Sequence, residues 1–178
     1  PGSRCPQCDA EIRPTQNVPV LSYLVLGGKC AACEAPISIR YPVVEAVTAI
    51  LWVLCGVQFG AGNALAGAMF FTAVLVVLTA IDLDHQLLPD SLTLPLLWIG
   101  LLLNIDNTFV PLKSAVLGAV FGYLSLWAVF WLFKIVTGKE GMGHGDFKLL
   151  AALGAWFGLA ALPTICLLYT SDAADEQF

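Results

Sequence analysis

The hydrophobic positions of the chain gather into five long blocks, at residues 43–59, 62–81, 92–105, 111–136 and 147 to about 168, separated by short polar breaks. None of the blocks alternates apolar and polar residues with period two, and they run too long for barrel strands, so each predicts a helix. About 20 apolar residues are needed to cross a bilayer; the second, fourth and fifth blocks meet that length comfortably, the first just reaches it and the third is short. The pattern predicts an all-α, polytopic membrane bundle of about five transmembrane helices over residues 43–168. Residues 1–42 are far more polar and predict a small separate module ahead of the bundle. Residues 169–178 turn abruptly polar; they read either as a loop or, because they resemble the translated adapter tails of assembled gene fragments, as a non-native tail, and are given no function.

Composition agrees with a membrane protein. The chain is 58% hydrophobic and only 12% charged, with a mean hydropathy of +0.83, whereas a soluble domain carries roughly 25% charged residues. A net charge of −5 and the lack of any basic stripe exclude nucleic acid as a partner. The cations are more informative by position. If the leading module is cytoplasmic, Arg4, Arg13, Lys29, Arg40, Lys134, Lys139 and Lys148 all lie inside and only Lys113 lies outside, as the positive-inside rule requires. The first residue is Pro1 and the cysteines follow at once, so the chain is expected to lack its start.

The module contains two Cys-x-x-Cys pairs, Cys5-Pro6-Gln7-Cys8 and Cys30-Ala31-Ala32-Cys33. Each pair can present two thiolates to one metal at a tight turn, and two such turns complete a tetrahedral four-thiolate zinc site. The competing reading is disulfides or idle thiols. Metal binding would give so small a polar module folding energy that it cannot obtain from a core. Cys55 and Cys166 lie in apolar blocks and read as small buried hydrophobes outside the metal set.

Two acid clusters interrupt the apolar blocks. Asp82-Leu83-Asp84 through Leu88-Pro89-Asp90 follows the second block, and Gly141-Met142-Gly143-His144-Gly145-Asp146 leads into the fifth. The glycines Gly143 and Gly145 remove side chains beside the Asp146 carboxylate and let backbone and substrate come close. With five spans in alternation, both clusters fall on the cytoplasmic face. Helix capping alone accounts for either acid singly. Together, Asp82 and Asp146 form a candidate dyad: like-charge repulsion keeps a proton on one carboxyl while the other activates water. Asp84 and Asp90 read as capping or solvated loop acids, and His85 and His144 as neighbours outside the catalytic set.

Taken together, these motifs resemble the bacterial type IV prepilin peptidases, membrane aspartic proteases with a Gly-x-Gly-Asp signature. Gly143-His144-Gly145-Asp146, extended by Phe147-Lys148-Leu149, is similar to the second active-site motif of that family. The stretch from Asp82 to Asp90 is similar to the first, with Asp82 as the carried-over catalytic acid, 64 residues before Asp146. The cysteine module resembles the family too, including Pro19, Ser22-Tyr23 and Arg40-Tyr41-Pro42 through Glu45. The resemblance covers residues 1 to about 165. It implies leader-peptide cleavage of type IV prepilins and type II secretion pseudopilins at the bacterial inner membrane, after a glycine, by Asp82 and Asp146. It also implies methylation of the new N-terminal residue from S-adenosylmethionine. The related archaeal enzymes lack the cysteine module, so its presence favours the bacterial type. Family members start with a membrane helix before the cysteines and continue with further apolar segments beyond this chain's end.

Two rival readings differ in class. In one, Asp82, Asp84 and Asp90 bind magnesium and a phosphorylated lipid for a transferase, although no Lys or Arg occurs between Arg40 and Lys113 to pair with phosphate. In the other, the chain is a zinc-knuckle membrane adaptor whose acids only cap helices.

Overall fold

In the computed structural model the description covers residues 4–138 and 143–167. The polar tail, Lys139, Gly141 and Met142 lie outside the described residues. The described residues are helical apart from turns, loops and two isolated antiparallel bridges, Arg4 with Glu11 and Lys29 with Pro36. The chain divides into two compact units, residues 1–58 and 59–178.

The first unit is built from two knuckles of the same design. In each, the first cysteine donates its N–H to an alanine carbonyl beyond the second: Cys5 to Ala10 at 3.0 Å and Cys30 to Ala35 at 2.9 Å. An acid follows the second cysteine in the left-handed region, Asp9 at φ 55° and Glu34 at φ 57°, which reverses the chain. The 3-10 turn Pro14–Gln16 and the short helix α1 (Leu21–Val25) connect the knuckles. Helix α2 (Arg40–Phe59) follows, and its Glu45 carboxylate accepts the Val20 N–H at 2.7 Å.

The second unit contains α3 (Asn63–His85), α4 (Asp90–Leu103), α5 (Leu112–Thr137) and α6 (His144–Phe157). Helices α2, α3 and α5 are long and apolar enough to cross a membrane. Much of their surface is bare hydrocarbon; in α2 only Pro42 and Cys55 are buried, as lipid-facing helices allow. The third and fifth apolar blocks form helices of 14 residues each, α4 and α6. At 1.5 Å per residue such a helix is ~21 Å long, less than a hydrocarbon core of ~30 Å. The fifth block is not one continuous helix: Gly158, at φ 77°, ends α6 and leads to the 3-10 turn Leu159–Ala161, after which residues 162–167 are again helical.

Helix α6 is the centre of this unit and packs on both α4 and α5. Its side chains Phe147, Leu150, Ala151, Ala152, Ala155 and Trp156 are buried. Against α5 the backbones almost touch. A Cβ on Gly118 would collide with the Gly154 carbonyl and one on Gly154 with the Gly118 carbonyl, while a Cβ on Gly122 would lie 2.8 Å from the Leu150 carbonyl oxygen. The small-residue step Gly118-x-x-x-Gly122 is therefore a helix-crossing surface. Against α4, Trp156 sits over Gly100 and donates its indole N–H to the Leu96 carbonyl at 2.8 Å. Phe71, Leu78 and Leu96 complete the core around Ala152 and Trp156.

At its far end α4 is tied by a buried amide. Asn104 donates to the Ala155 carbonyl at 2.9 Å and accepts from the N–H groups of Phe109 and Val110 at 3.0 and 3.1 Å. A buried amide hydrogen-bonded through both its oxygen and its nitrogen fixes a unique arrangement where apolar packing would tolerate sliding.

Candidate active site and four-thiol centre

The two acid motifs come together where α6 begins. Helix α3 runs past the end of its apolar block to His85 and stops at Gln86, which takes the left-handed conformation and donates to the Asp82 carbonyl at 2.8 Å. Asp82 and Asp84 thus sit on the last turn of α3, not beyond it. Pro89 then presets the backbone, and Asp90 opens α4. On the other side, Gly143 precedes α6 and Asp146 lies in its first turn, with its N–H directed to the Gly143 carbonyl at 3.3 Å.

Two contacts join these segments. Gly145 lies against the loop after α3 so closely that a Cβ there would be 2.8 Å from the Leu88 Cβ and 3.2 Å from the Leu88 carbonyl oxygen. One turn on, the Lys148 ammonium donates to both Asp90 carboxylate oxygens at 2.6 Å. Gly145 is thus a close-approach glycine, whereas among the described residues the would-be Cβ of Gly143 meets only Asp146 Oδ2, at 3.6 Å. Asp82 is exposed and Asp146 half-buried.

Helix polarity separates the acids that a capping explanation treats alike. Carboxylates are favoured at helix N-termini and disfavoured at C-termini, by typically 0.3–1 kcal/mol. Asp146 and Asp90 stand in first turns and gain from this field. Asp82 and Asp84 stand in a last turn and do not. Capping therefore accounts for Asp146 and Asp90 but leaves Asp82 unexplained.

The four cysteines of the first unit also come together. The sulfurs of Cys5, Cys8, Cys30 and Cys33 all lie within 4.8 Å of one another, with Cys5 and Cys33 at 3.9 Å. A tetrahedral zinc with Zn–S bonds of about 2.3 Å needs sulfurs ~3.8 Å apart, so the donor set fits that ion. All six cysteines of the chain are free thiols. The backbone N–H groups of Ala32 and Cys33, with the Cys5 thiol, hold Cys30 down to about 6, making it a thiolate at neutral pH. For Cys8 the Ala10 N–H favours the thiolate, but the crowding thiols of Cys33, Cys5 and Cys30 push it up to about 12. Beside this cluster is a cavity of about 530 Å³, with Glu11, Tyr23, Tyr41 and Glu45 in its walls.

Sequence reasoning passed over Leu88, Lys148 as a partner of Asp90, and Asn104. The one available signal was a lone cation or amide next to an apolar block, which does not reveal its partner.

Both units match described protein families. Residues 69–171 match the family described as "Type IV leader peptidase family", and residues 1–59 match the "Bacterial Peptidase A24 N-terminal domain". Three relatives are each described as a prepilin leader peptidase/N-methyltransferase. The one from Neisseria gonorrhoeae is 56% identical over 165 residues, 93% of this chain and 58% of the relative. That from Pseudomonas aeruginosa is 56% identical over 168 residues, 94% of this chain and 58% of the relative. That from Klebsiella pneumoniae is 52% identical over 173 residues, 97% of this chain and 76% of the relative. The chain spans 58% of the length of the first two. No solved structure matches it. A family match over residues 69–171, more than half of the chain, means that this protein belongs to the type IV leader peptidase family.

Proposed function

We propose that the chain is part of a bifunctional membrane enzyme, an aspartic endopeptidase that removes the leader peptides of type IV prepilins and type II secretion pseudopilins and then N-methylates the new terminus. The observation that carries this reading is the meeting of the two acid motifs through Leu88 with Gly145 and Asp90 with Lys148. Asp82 and Asp146 are the catalytic acids and Gly143 and Gly145 the active-site loop. One carboxyl keeps its proton and polarises the scissile carbonyl; the other takes a proton from water as the water oxygen attacks the carbonyl carbon. When the tetrahedral centre collapses, the C–N bond breaks and the departing amine nitrogen receives a proton from the dyad. The pair titrates as a unit, so its pH profile belongs to both acids.

We assign residues 1–42 to a cytoplasmic zinc module held by Cys5, Cys8, Cys30 and Cys33, and residues 43–168 to the peptidase domain. When bound, zinc supplies a cross-link between the two knuckles. Helices α4 and α6, the latter continued by residues 162–167, bring the crossings of the bacterial inner membrane to five, with both acids on the cytoplasmic face. The cavity walled by Tyr23, Tyr41, Glu11 and Glu45 lies within the 300–1,000 Å³ range of small-molecule sites. Its aromatic rings and carboxylates suit the adenine and hydroxyls of S-adenosylmethionine.

The test is prepilin cleavage in membranes by the parent enzyme carrying Asp82→Asn or Asp146→Asn, at matched expression. Both variants should insert normally and lose cleavage; substantial remaining activity in either removes that acid from the dyad. Full cleavage in both would make the two acids structural and overturn the aspartyl reading; no cleavage by the wild-type parent would leave the adaptor and the magnesium transferase standing, and chelator-sensitive transfer from a phosphorylated lipid would separate those two.

A further inference from the structure

We propose that the Asp90–Lys148 ion pair is a positioning device that sets how the first turn of α6, which carries Asp146, meets the loop that follows Asp82; the proposal rests on the aspartyl reading above. Lys148 is the fifth residue of α6, past the first turn in which the helix field acts, so what holds its ammonium is its partner. Across the interface, Asp90 occupies the first turn of α4, where the field favours an acid. The ammonium bridges both carboxylate oxygens at 2.6 Å, with the lysine side chain 29% and the aspartate 54% exposed. The lysine is the less exposed partner, which limits the side-chain freedom that weakens fully exposed pairs.

A single contact would fix a distance and leave rotation free. Here there are two. Gly145 and Lys148 are three residues apart on α6 and share a face, which meets Leu88 and Asp90, two residues apart with Pro89 between them. Leu88 limits how near the helix can come, and the ion pair prevents it from swinging away. Asp146 is next to Gly145 and turns with it. The segment from Asp82 to Asp90 contains three acids and no Lys or Arg, so the cation that engages it comes from the other motif.

The pair touches no substrate in this account, so its loss should act on turnover rather than on binding. A double-mutant cycle on the parent enzyme, with Asp90→Asn, Lys148→Met and the two combined, tests it by steady-state prepilin cleavage. Each single variant should lower kcat by about ten- to a hundredfold, in the range of small misplacements of reacting groups, with KM within about twofold. The double variant should be no slower than either single one, because each removes the same interaction. Lys148→Arg should keep most of the rate, and its monodispersity in detergent controls for folding at that site. Wild-type kcat in either single variant, losses that multiply in the double, or a higher KM at unchanged kcat would overturn the proposal. Asp82→Asn and Asp146→Asn run in parallel separate the two failures. If those cleave, the aspartyl reading is lost; if they are dead and Lys148→Met is not, only the ion pair's role is lost.

Discussion

A methyl group on Gly145 would press on the Leu88 Cβ and carbonyl oxygen at 2.8 and 3.2 Å, whereas one on Gly143 would meet, among the described residues, only Asp146 Oδ2 at ordinary distance, 3.6 Å. The two glycines of the Gly-x-Gly-Asp signature therefore differ in kind. Gly145→Ala should force the loop from α6, an overpacking cost of about 1–3 kcal/mol, and reduce cleavage at least tenfold. Gly143→Ala changes a residue before the helix and should cost little stability, about 1 kcal/mol at most, so that any loss of cleavage there reflects crowding at the Asp146 carboxylate rather than a displaced loop. Parallel cleavage rates and thermal melts of the two variants check this; equal loss from both would mean that Gly143 also makes a close approach. From sequence alone the pair reads as one glycine-rich turn, because only a neighbour from elsewhere in the chain tells them apart. The ion pair was hidden for the same reason: Asp90 and Lys148 lie 58 residues apart, and no periodicity within either segment points to the other.

At the scale of elements, hydropathy locates the helices well but not their ends. It stops the second block at Ile81 because Asp82 is charged, yet α3 continues to His85, since hydrogen bonding and the left-handed Gln86 decide where it stops. It runs the fifth block unbroken to about residue 168, although Gly158 breaks it at φ 77°. Composition does not register a dihedral angle. The small-residue step on α5 was legible, but its partner Gly154 was not. Because carbonyls lie on both sides of that crossing, neither backbone can yield without separating the helices. Gly154→Val should lower the melting temperature of the detergent-purified protein by several degrees, corresponding to roughly 1–3 kcal/mol or more, and reduce cleavage with it. An unchanged melt would show that α5 and α6 tolerate a wider separation.

For the molecule as a whole, the four-thiol centre was the most legible feature, because two Cys-x-x-Cys pairs specify their own geometry and the structure gathers their sulfurs within 4.8 Å. The protein purified without chelator should contain near-stoichiometric zinc. Cys33→Ser should lose most of it, and a strong chelator should make residues 1–42 sensitive to protease, since metal binding to such a module is folding energy. Zinc content unaffected by Cys33→Ser would remove the assignment. The acids of the proposed active site were legible as residue types and as a pattern. The contacts that bring their segments together were not, because they depend on how α4 and α6 are held.

Helix α4 is a short rod fastened differently at its two ends. At Asp90 the fastening is ionic and half-exposed, so dissolved salt can weaken it. At Asn104 it is neutral, buried and hydrogen-bonded through both the amide oxygen and the amide nitrogen, out of reach of ions. Between the two ends, buried Thr93 and Leu96 and the Trp156 indole on the Leu96 carbonyl keep the body of α4 on α6. What dissolved salt can loosen is therefore confined to the first turn of α4, the turn that meets Lys148 two residues beyond Asp146.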